Sequence, residues 1–265
     1  SGELDNGMTV SVSFELDQGT SNNSANQFDN HSVTVSSDTM GSLTLAGHGG
    51  NTAASAIDKT AAGDMWDNFD EMTIGGTTTA NAVKTSSAGN NSLFYKSPDL
   101  MDGLNITLSY NPQKGNAGNP SETGYGFNYT GVEGLSVSYA TTEIETNATG
   151  TTGDNNVVKV SYAYGPVTAT YSNMEQDVST TSDAGETDSY ALSYTISDEL
   201  SVTYGSETHE QGDSTTDIEI DGFSVAYTTG GMTISAAVQS AENQNHSTDS
   251  KFDTDYWALG ASFAF

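Results

Sequence analysis

Apolar and small polar residues alternate along most of this chain. In Gly134–Tyr139 (GLSVSY), Pro166–Tyr171 (PVTATY) and Ser189–Ile196 (SYALSYTI), every second side chain falls on one apolar face. A period of two is that of a β-strand with one apolar and one polar face. Comparable runs lie near 8–16, 31–37, 42–47, 91–97, 104–110, 124–130, 157–164, 200–208, 218–228, 231–239 and 255–265. The pattern therefore predicts fourteen strands, each long enough to cross a bilayer at a tilt. No stretch keeps a helical period.

The connections alternate in length. Asp38–Gly41, Pro98–Gly103, Gly131–Gly134, Gly165–Pro166, Ser197–Glu199 and Thr229–Gly231 are short and built from the Gly, Pro and Asp that tight turns require. The connections near 18–30, 48–90, 111–121, 145–155, 175–186, 209–217 and 241–254 are long and rich in Asn, Asp, Ser, Thr and Gly. All four prolines (98, 112, 120, 166) fall in connections, as paired strands demand. Short turns on one side and long loops on the other describe an all-β, antiparallel, up-and-down transmembrane β-barrel, a single domain over residues 1–265.

Side-chain parity bears on the alternative of a soluble sandwich. One face presents Leu104, Ile106, Leu108 and Tyr110, then Val158, Val160, Tyr162 and Tyr164, then Phe223, Val225 and Tyr227. The other presents Asn105, Thr107, Ser109, Ser161, Thr168, Thr170, Ser193 and Thr195. A sandwich also alternates. Yet Tyr110, Tyr139, Tyr164, Tyr171 and Tyr204 cap the apolar faces at strand ends, as membrane-interface girdles do.

Composition fits the barrel. A hydrophobic fraction of 34% is thin for a globular core of 265 residues, whereas a barrel needs only one apolar surface. The chain holds 35 Asp and Glu against 6 basic residues, all Lys (59, 84, 96, 114, 159, 251), for a net charge of −29. Such a chain repels phosphate backbones, which excludes nucleic acid as a partner. The absence of Cys removes disulfides, zinc fingers and thiolate nucleophiles.

The last strand, Tyr256–Phe265 (YWALGASFAF), ends on an aromatic and sets Trp257, Leu259, Phe263 and Phe265 on one face. With the alternating loop lengths, this ending resembles a general bacterial outer-membrane porin of the alphaproteobacterial type. Gly41–Gly47 (GSLTLAG) resembles that family's strand before its constriction loop, and Asn91–Pro98 (NSLFYKSP) with Gly103–Tyr110 the strand pair after it. The resemblance covers the whole chain as a pattern, without one specific motif. It implies a passive channel for small hydrophilic solutes in the outer membrane of a Gram-negative bacterium. It also implies contact with the bilayer and lipopolysaccharide, and a homotrimer.

Two departures stand out. General porins set a cluster of Arg on the wall opposite an acidic loop, and this chain has no Arg. They usually have sixteen strands with the constriction loop after the fifth; here the loop follows the third expected strand, and Ser1–Gly7 reads as a turn between strands. Either two N-terminal strands are missing or the barrel has fourteen, and the loop's position favours missing strands. No signal peptide is visible, as expected of a mature or truncated chain.

The loop at 48–90 carries Asp58, Asp64, Asp67, Asp70 and Glu71, with Lys59, Trp66 and Phe69 among them. A connection of this length is usually functional when ordered. Folded into the lumen, it would line a constriction with carboxylates and favour cations; left outside, it would be a solvated surface loop. Lys96, Lys159, Glu15 and Glu207 fall on the polar parity of their strands and are candidates for the pore wall. Either lysine could instead neutralise a nearby carboxylate. Asp213–Asp221 and Asp249–Asp255 are acidic enough to bind Ca2+ or another divalent cation, but they match no EF-hand or Gly-rich calcium repeat, the favoured reading is solvated acidic loops, and no metal site is assigned. The four His (31, 48, 209, 246) form no HExxH, and there is no GxSxG. No enzyme and no required cofactor are expected. The competing function is a secreted or surface acidic β-protein acting as a calcium-dependent structural or adhesive module.

Overall fold

The computed structural model describes residues 1–16, 28–70, 72–74, 76–79, 90–112, 121–145, 152–179 and 184–264. Its strands are β1 (Gly2–Glu3), β2 (Thr9–Leu16), β3 (Phe28–Ser37), β4 (Gly41–His48), β5 (Thr73–Ile74), β6 (Thr77–Thr78), β7 (Ser92–Lys96), β8 (Leu104–Asn111) and β9 (Glu122–Tyr129). They continue as β10 (Leu135–Ile144), β11 (Gly153–Tyr164), β12 (Val167–Val178), β13 (Gly185–Ser197), β14 (Leu200–Gln211), β15 (Ile218–Thr229), β16 (Met232–Glu242) and β17 (Thr254–Phe263). Fifteen of these form one sheet in strict chain order, and β5–β6 is a separate small hairpin. The resolved registers, from β1 to β9 and from β12 to β17, are all antiparallel.

Each of the fourteen strands expected from the alternation is present; β1 is the addition to the large sheet, and β5 and β6 are additions within the long loop. Strand β1 is too short to carry a period, yet Gly2 and Glu3 pair with Val10 and Thr9 around the expected turn. The long loop therefore follows the fourth sheet strand, not the third. Several strands also run further into the long-loop side than the alternation shows. Asn173, Glu175, Asp188 and Asp221 have apolar-face parity but are polar, so the hydropathy signal stops while the ladder continues. Tyr171 and Tyr204 donate their hydroxyls to Asp188 at 2.7 Å and Asp221 at 2.5 Å across this boundary. The acidic run 213–221 is accordingly divided, its last residues lying in β15.

The chain folds as two compact units. The first holds Ser1–Ile57, Thr85–Val132 and Ser138–Val157. Its polar face is a carpet of hydroxyls: Thr9, Ser36, Ser42, Lys96 and Thr107 form one lateral row, and Ser11, Thr34, Thr44, Phe94 and Ser109 the next. The opposite face aligns Val10, Val35, Leu43, Tyr95, Leu108 and Tyr125. Apolar side chains on that face stand free of protein, Val12 at 62% and Tyr125 at 60% exposure.

The second unit holds Asp58–Lys84, Glu133–Val137 and Val158–Phe265. Its apolar face is aromatic-rich, with Leu192, Tyr204, Phe223, Val238 and Trp257 in one row. Trp257 is 77% and Leu259 72% exposed, a cost in water that hydrocarbon removes. The polar face begins with Thr168, Ser193, Thr203 and Ser224, then shrinks to Ala191, Gly205 and Gly222. The row beyond is Ser172, Ser189, Glu207, Ile220 and Ala241, where large apolar residues replace hydroxyls.

Candidate functional site

The long loop packs onto the polar face of the sheet, in two limbs. In the first unit, Ala53 N donates to Ser109 Oγ at 2.8 Å and Ala54 N to Thr142 Oγ1 at 3.3 Å. A turn closed by Thr52 N on Ser55 Oγ, at 2.7 Å, presents these amides. The approach is close enough to require glycine: a Cβ on Gly124 would lie 2.5 Å from Ser109 Oγ and 3.0 Å from the Ala53 methyl. Small residues on the wall make the shelf, and wall hydroxyls satisfy the loop amides.

The second unit holds the other limb. Ser172 Oγ donates to Lys59 O at 2.9 Å, and Ala61 N donates to Ser189 Oγ at 2.8 Å. A 3-10 turn, Met65–Asn68, then lies against the wall. Met65, Trp66 and Phe69 are buried against Ile218, Ile220 and Ala241, flanked by Ala62 and Tyr256. Gly205 again admits the loop, since a Cβ there would come within 2.5 Å of Ala62 Cβ. Beneath the turn, Glu207 is 1% exposed and accepts Met65 N at 3.1 Å and Trp66 N at 3.4 Å. The free amides opening a helical turn are natural partners for an anion. His209 lies beside them, Nε2 3.5 Å from Glu207 and Nδ1 3.1 Å from Thr187 Oγ1. Asn68 Nδ2 reaches Gln239 Oε1 on β16 at 2.9 Å.

These contacts dispose the loop's acids unequally. Asp58 meets Lys159 Nζ at 2.5 Å, and the same ammonium donates to Thr60 O at 2.7 Å. Asp64 is half-buried, 3.7 Å from Lys59, with Oδ1 shielded and lacking a hydrogen bond. Burial pushes its carboxyl above the ordinary carboxylate range, and Lys59 pulls in the opposite direction. Asp67 is exposed, and Asp70 is half-buried with its amide on Trp66 O at 3.0 Å. Glu71 lies outside the described residues.

Of the wall candidates, Lys96 is exposed at the end of β7, between Ser42 and Thr107 in register. Glu15 is exposed on β2 and accepts Asn30 Nδ2 at 3.1 Å. Glu207 lies on the polar face as its parity requires, but the loop covers it. Ile218 and Ile220, which receive the loop, were not among the sequence-derived candidates. Their signal was available: they break the polar parity of β15 shared by Gly222 and Ser224. Among the described residues, no group of three or more His, Asp or Glu converges on a metal-sized site.

A face of exposed Leu, Tyr and Trp, a hydroxyl-rich opposite face and strictly sequential antiparallel strands define a transmembrane up-and-down β-barrel. A family model described as Gram-negative porin matches residues 1–220, and the chain belongs to that family. No curated protein matches it. Among solved structures, a variant of the Rhodobacter blastica porin is similar with a TM-score of 0.61 and 14% identity, over 100% of this chain and 87% of that one. A loop-deletion form of OmpT, an outer membrane protein of Vibrio cholerae, gives a TM-score of 0.54 and 16% identity, over 89% and 79%. A trimer form of the same Vibrio cholerae protein gives 0.51 and 16%, over 81% and 70%. The chain is thus a passive channel of the Gram-negative outer membrane, and the reading as a secreted adhesive module falls away.

Proposed function

We propose that this porin admits small hydrophilic solutes and prefers cations, with the loop at 48–90 as its constriction. One observation carries the reading: the loop is held against the polar face by both limbs, with the carboxylate of Asp67 left exposed to solvent. Carboxylates in a low-dielectric passage raise the local cation concentration and exclude anions. The reading includes a homotrimer set in lipid and lipopolysaccharide, as the exposed outer aromatics of the second unit invite. The test is the reversal potential across a planar bilayer under a salt gradient. The wild type should be cation-preferring, and Asp64→Asn, Asp67→Asn, Asp70→Asn and Glu71→Gln combined should weaken the preference without closing the pore. Anion preference in the wild type, or an unchanged potential in the quadruple variant, overturns the assignment.

A further inference from the structure

We infer that Asp67 is the specificity-determining carboxylate of this channel, and that Lys159 is not a selecting charge of the pore wall but the counter-ion that fastens Asp58. This rests on the cation-preferring reading above and says which group produces it. The first observation is pairing. Lys159 projects from β11 and is committed twice, to the Asp58 carboxylate at 2.5 Å and to the Thr60 carbonyl at 2.7 Å. An ammonium held this way is adjacent to the loop's own charge, so an ion passing at a distance meets a dipole rather than two charges. Asp64 faces Lys59 at 3.7 Å and is drawn partly into the wall. Glu207, the remaining carboxylate at this level, is covered and bound by two amides. Three of the acids are thereby silenced or shielded.

The second observation is the orientation of the 3-10 turn. Residues three apart eclipse one another in such a turn. Trp66 and Phe69 occupy that relation, and both point into the apolar contact with Ile218 and Ile220. Asp67 stands between them in sequence and points away, exposed. Among the described residues its carboxylate has no ionic or hydrogen-bond partner. The apolar anchor therefore fixes the turn and displays one unpaired charge on its free side. Asp67 N donates to Asp64 O at 3.2 Å, so the two acids are adjacent.

A unit charge about 6 Å from an ion in water changes that ion's local concentration about threefold. Three channels are to be compared in planar bilayers at low salt, where the Debye length is about 30 Å at 0.01 M: wild type, Asp67→Asn, and Asp58→Asn combined with Lys159→Gln. Asp67→Asn should lower cation and raise anion occupancy about threefold each, and so lower the cation-to-anion permeability ratio about tenfold, and Asp67→Glu should retain it. The pair-deleted channel should keep the wild-type ratio. Asp67→Ser gives a second neutral variant, and unheated gel migration with high-salt conductance establishes that each channel is assembled and open. An unchanged ratio in both neutral variants, or a shift in the pair-deleted channel as large as that of Asp67→Asn, overturns the inference. An anion-preferring wild type overturns the functional reading instead; Asp67→Asn must then move the potential further towards anions for the inference to stand.

Discussion

The two limbs of the long loop reach the wall by different chemistry. In the first unit, Ala53 and Ala54 lay two backbone amides on the hydroxyls of Ser109 and Thr142 above a glycine shelf. Those hydrogen bonds join neutral groups, and the methyls of Ala53 and Ala54 are buried. In the second unit, Met65, Trp66 and Phe69 pack on Ile218, Ile220 and Ala241 around the buried carboxylate of Glu207. Neutral hydrogen bonds contribute on the order of 1 kcal/mol each after the loss of water. Burial of a large aromatic contributes several times that. One limb therefore sets where the loop begins, while the other supplies most of the energy holding it on the wall.

The largest effect should follow removal of the aromatic anchor. Trp66→Ala would leave a cavity against Ile218 and Ile220, and truncations of this kind cost about 3–5 kcal/mol. Because the loss falls on docking, the expected result is an assembled barrel with a loop newly sensitive to protease and a noisier open current. Trp257 is the other tryptophan, and it faces outward. A quencher dissolved in the lipid should therefore leave the buried Trp66 emission in the wild type and suppress nearly all emission in Trp66→Phe, where only the outward-facing Trp257 remains. An equally protected loop in Trp66→Ala would show that the apolar contact is not the principal hold.

The next effect isolates the charge. Glu207→Gln keeps size but loses the charge-assisted acceptance of two amides, and such bonds contribute about 1.5–3 kcal/mol. Removing the other limb's acceptors, Ser109→Ala with Thr142→Val, should cost less, about 1 kcal/mol per bond. Protease resistance of the loop in matched detergent solutions ranks the two. If the hydroxyl variants loosen the loop more than Glu207→Gln does, the ordering of the limbs is reversed.

The strands were legible because alternation is local: each needs only its own residues to show which face is apolar. Parity even placed Glu207, Lys96 and Lys159 on the correct face. What those side chains do there was not legible, since it depends on a loop distant in sequence. Glu207 and Met65 are separated by 142 residues, and Lys159 and Asp58 by 101. The parity break at Ile218 and Ile220 was a local sign of an internal contact, but polar neighbours made the segment resemble an acidic loop. Gly124 and Gly205 carried no sign at all, because a strand glycine looks the same whether or not a backbone passes over it.

The smallest effect concerns pH, and it also separates the limbs. Burial raises the Asp64 carboxyl above its ordinary value of 3.8, against the pull of Lys59. A carboxyl whose folded value is raised is costly when ionised in the folded state. Above the raised value, folding carries that penalty in full; as pH falls through it, Asp64 takes a proton and the penalty fades, being gone below 3.8. This contribution therefore makes the second limb hold more firmly on mild acidification, opposite in sign to the usual paired carboxylate. Asp64→Asn should remove it, so the difference in loop protection between variant and wild type should be largest near neutral pH and shrink towards pH 4. The first limb's hydrogen bonds to Ser109 and Thr142 join no titratable group, and its protection should not depend on Asp64→Asn at any pH. A variant-to-wild-type difference that stays constant across the range, or grows as pH falls, would show that Asp64 is stabilised as the anion by Lys59 and that burial is not the dominant influence on it.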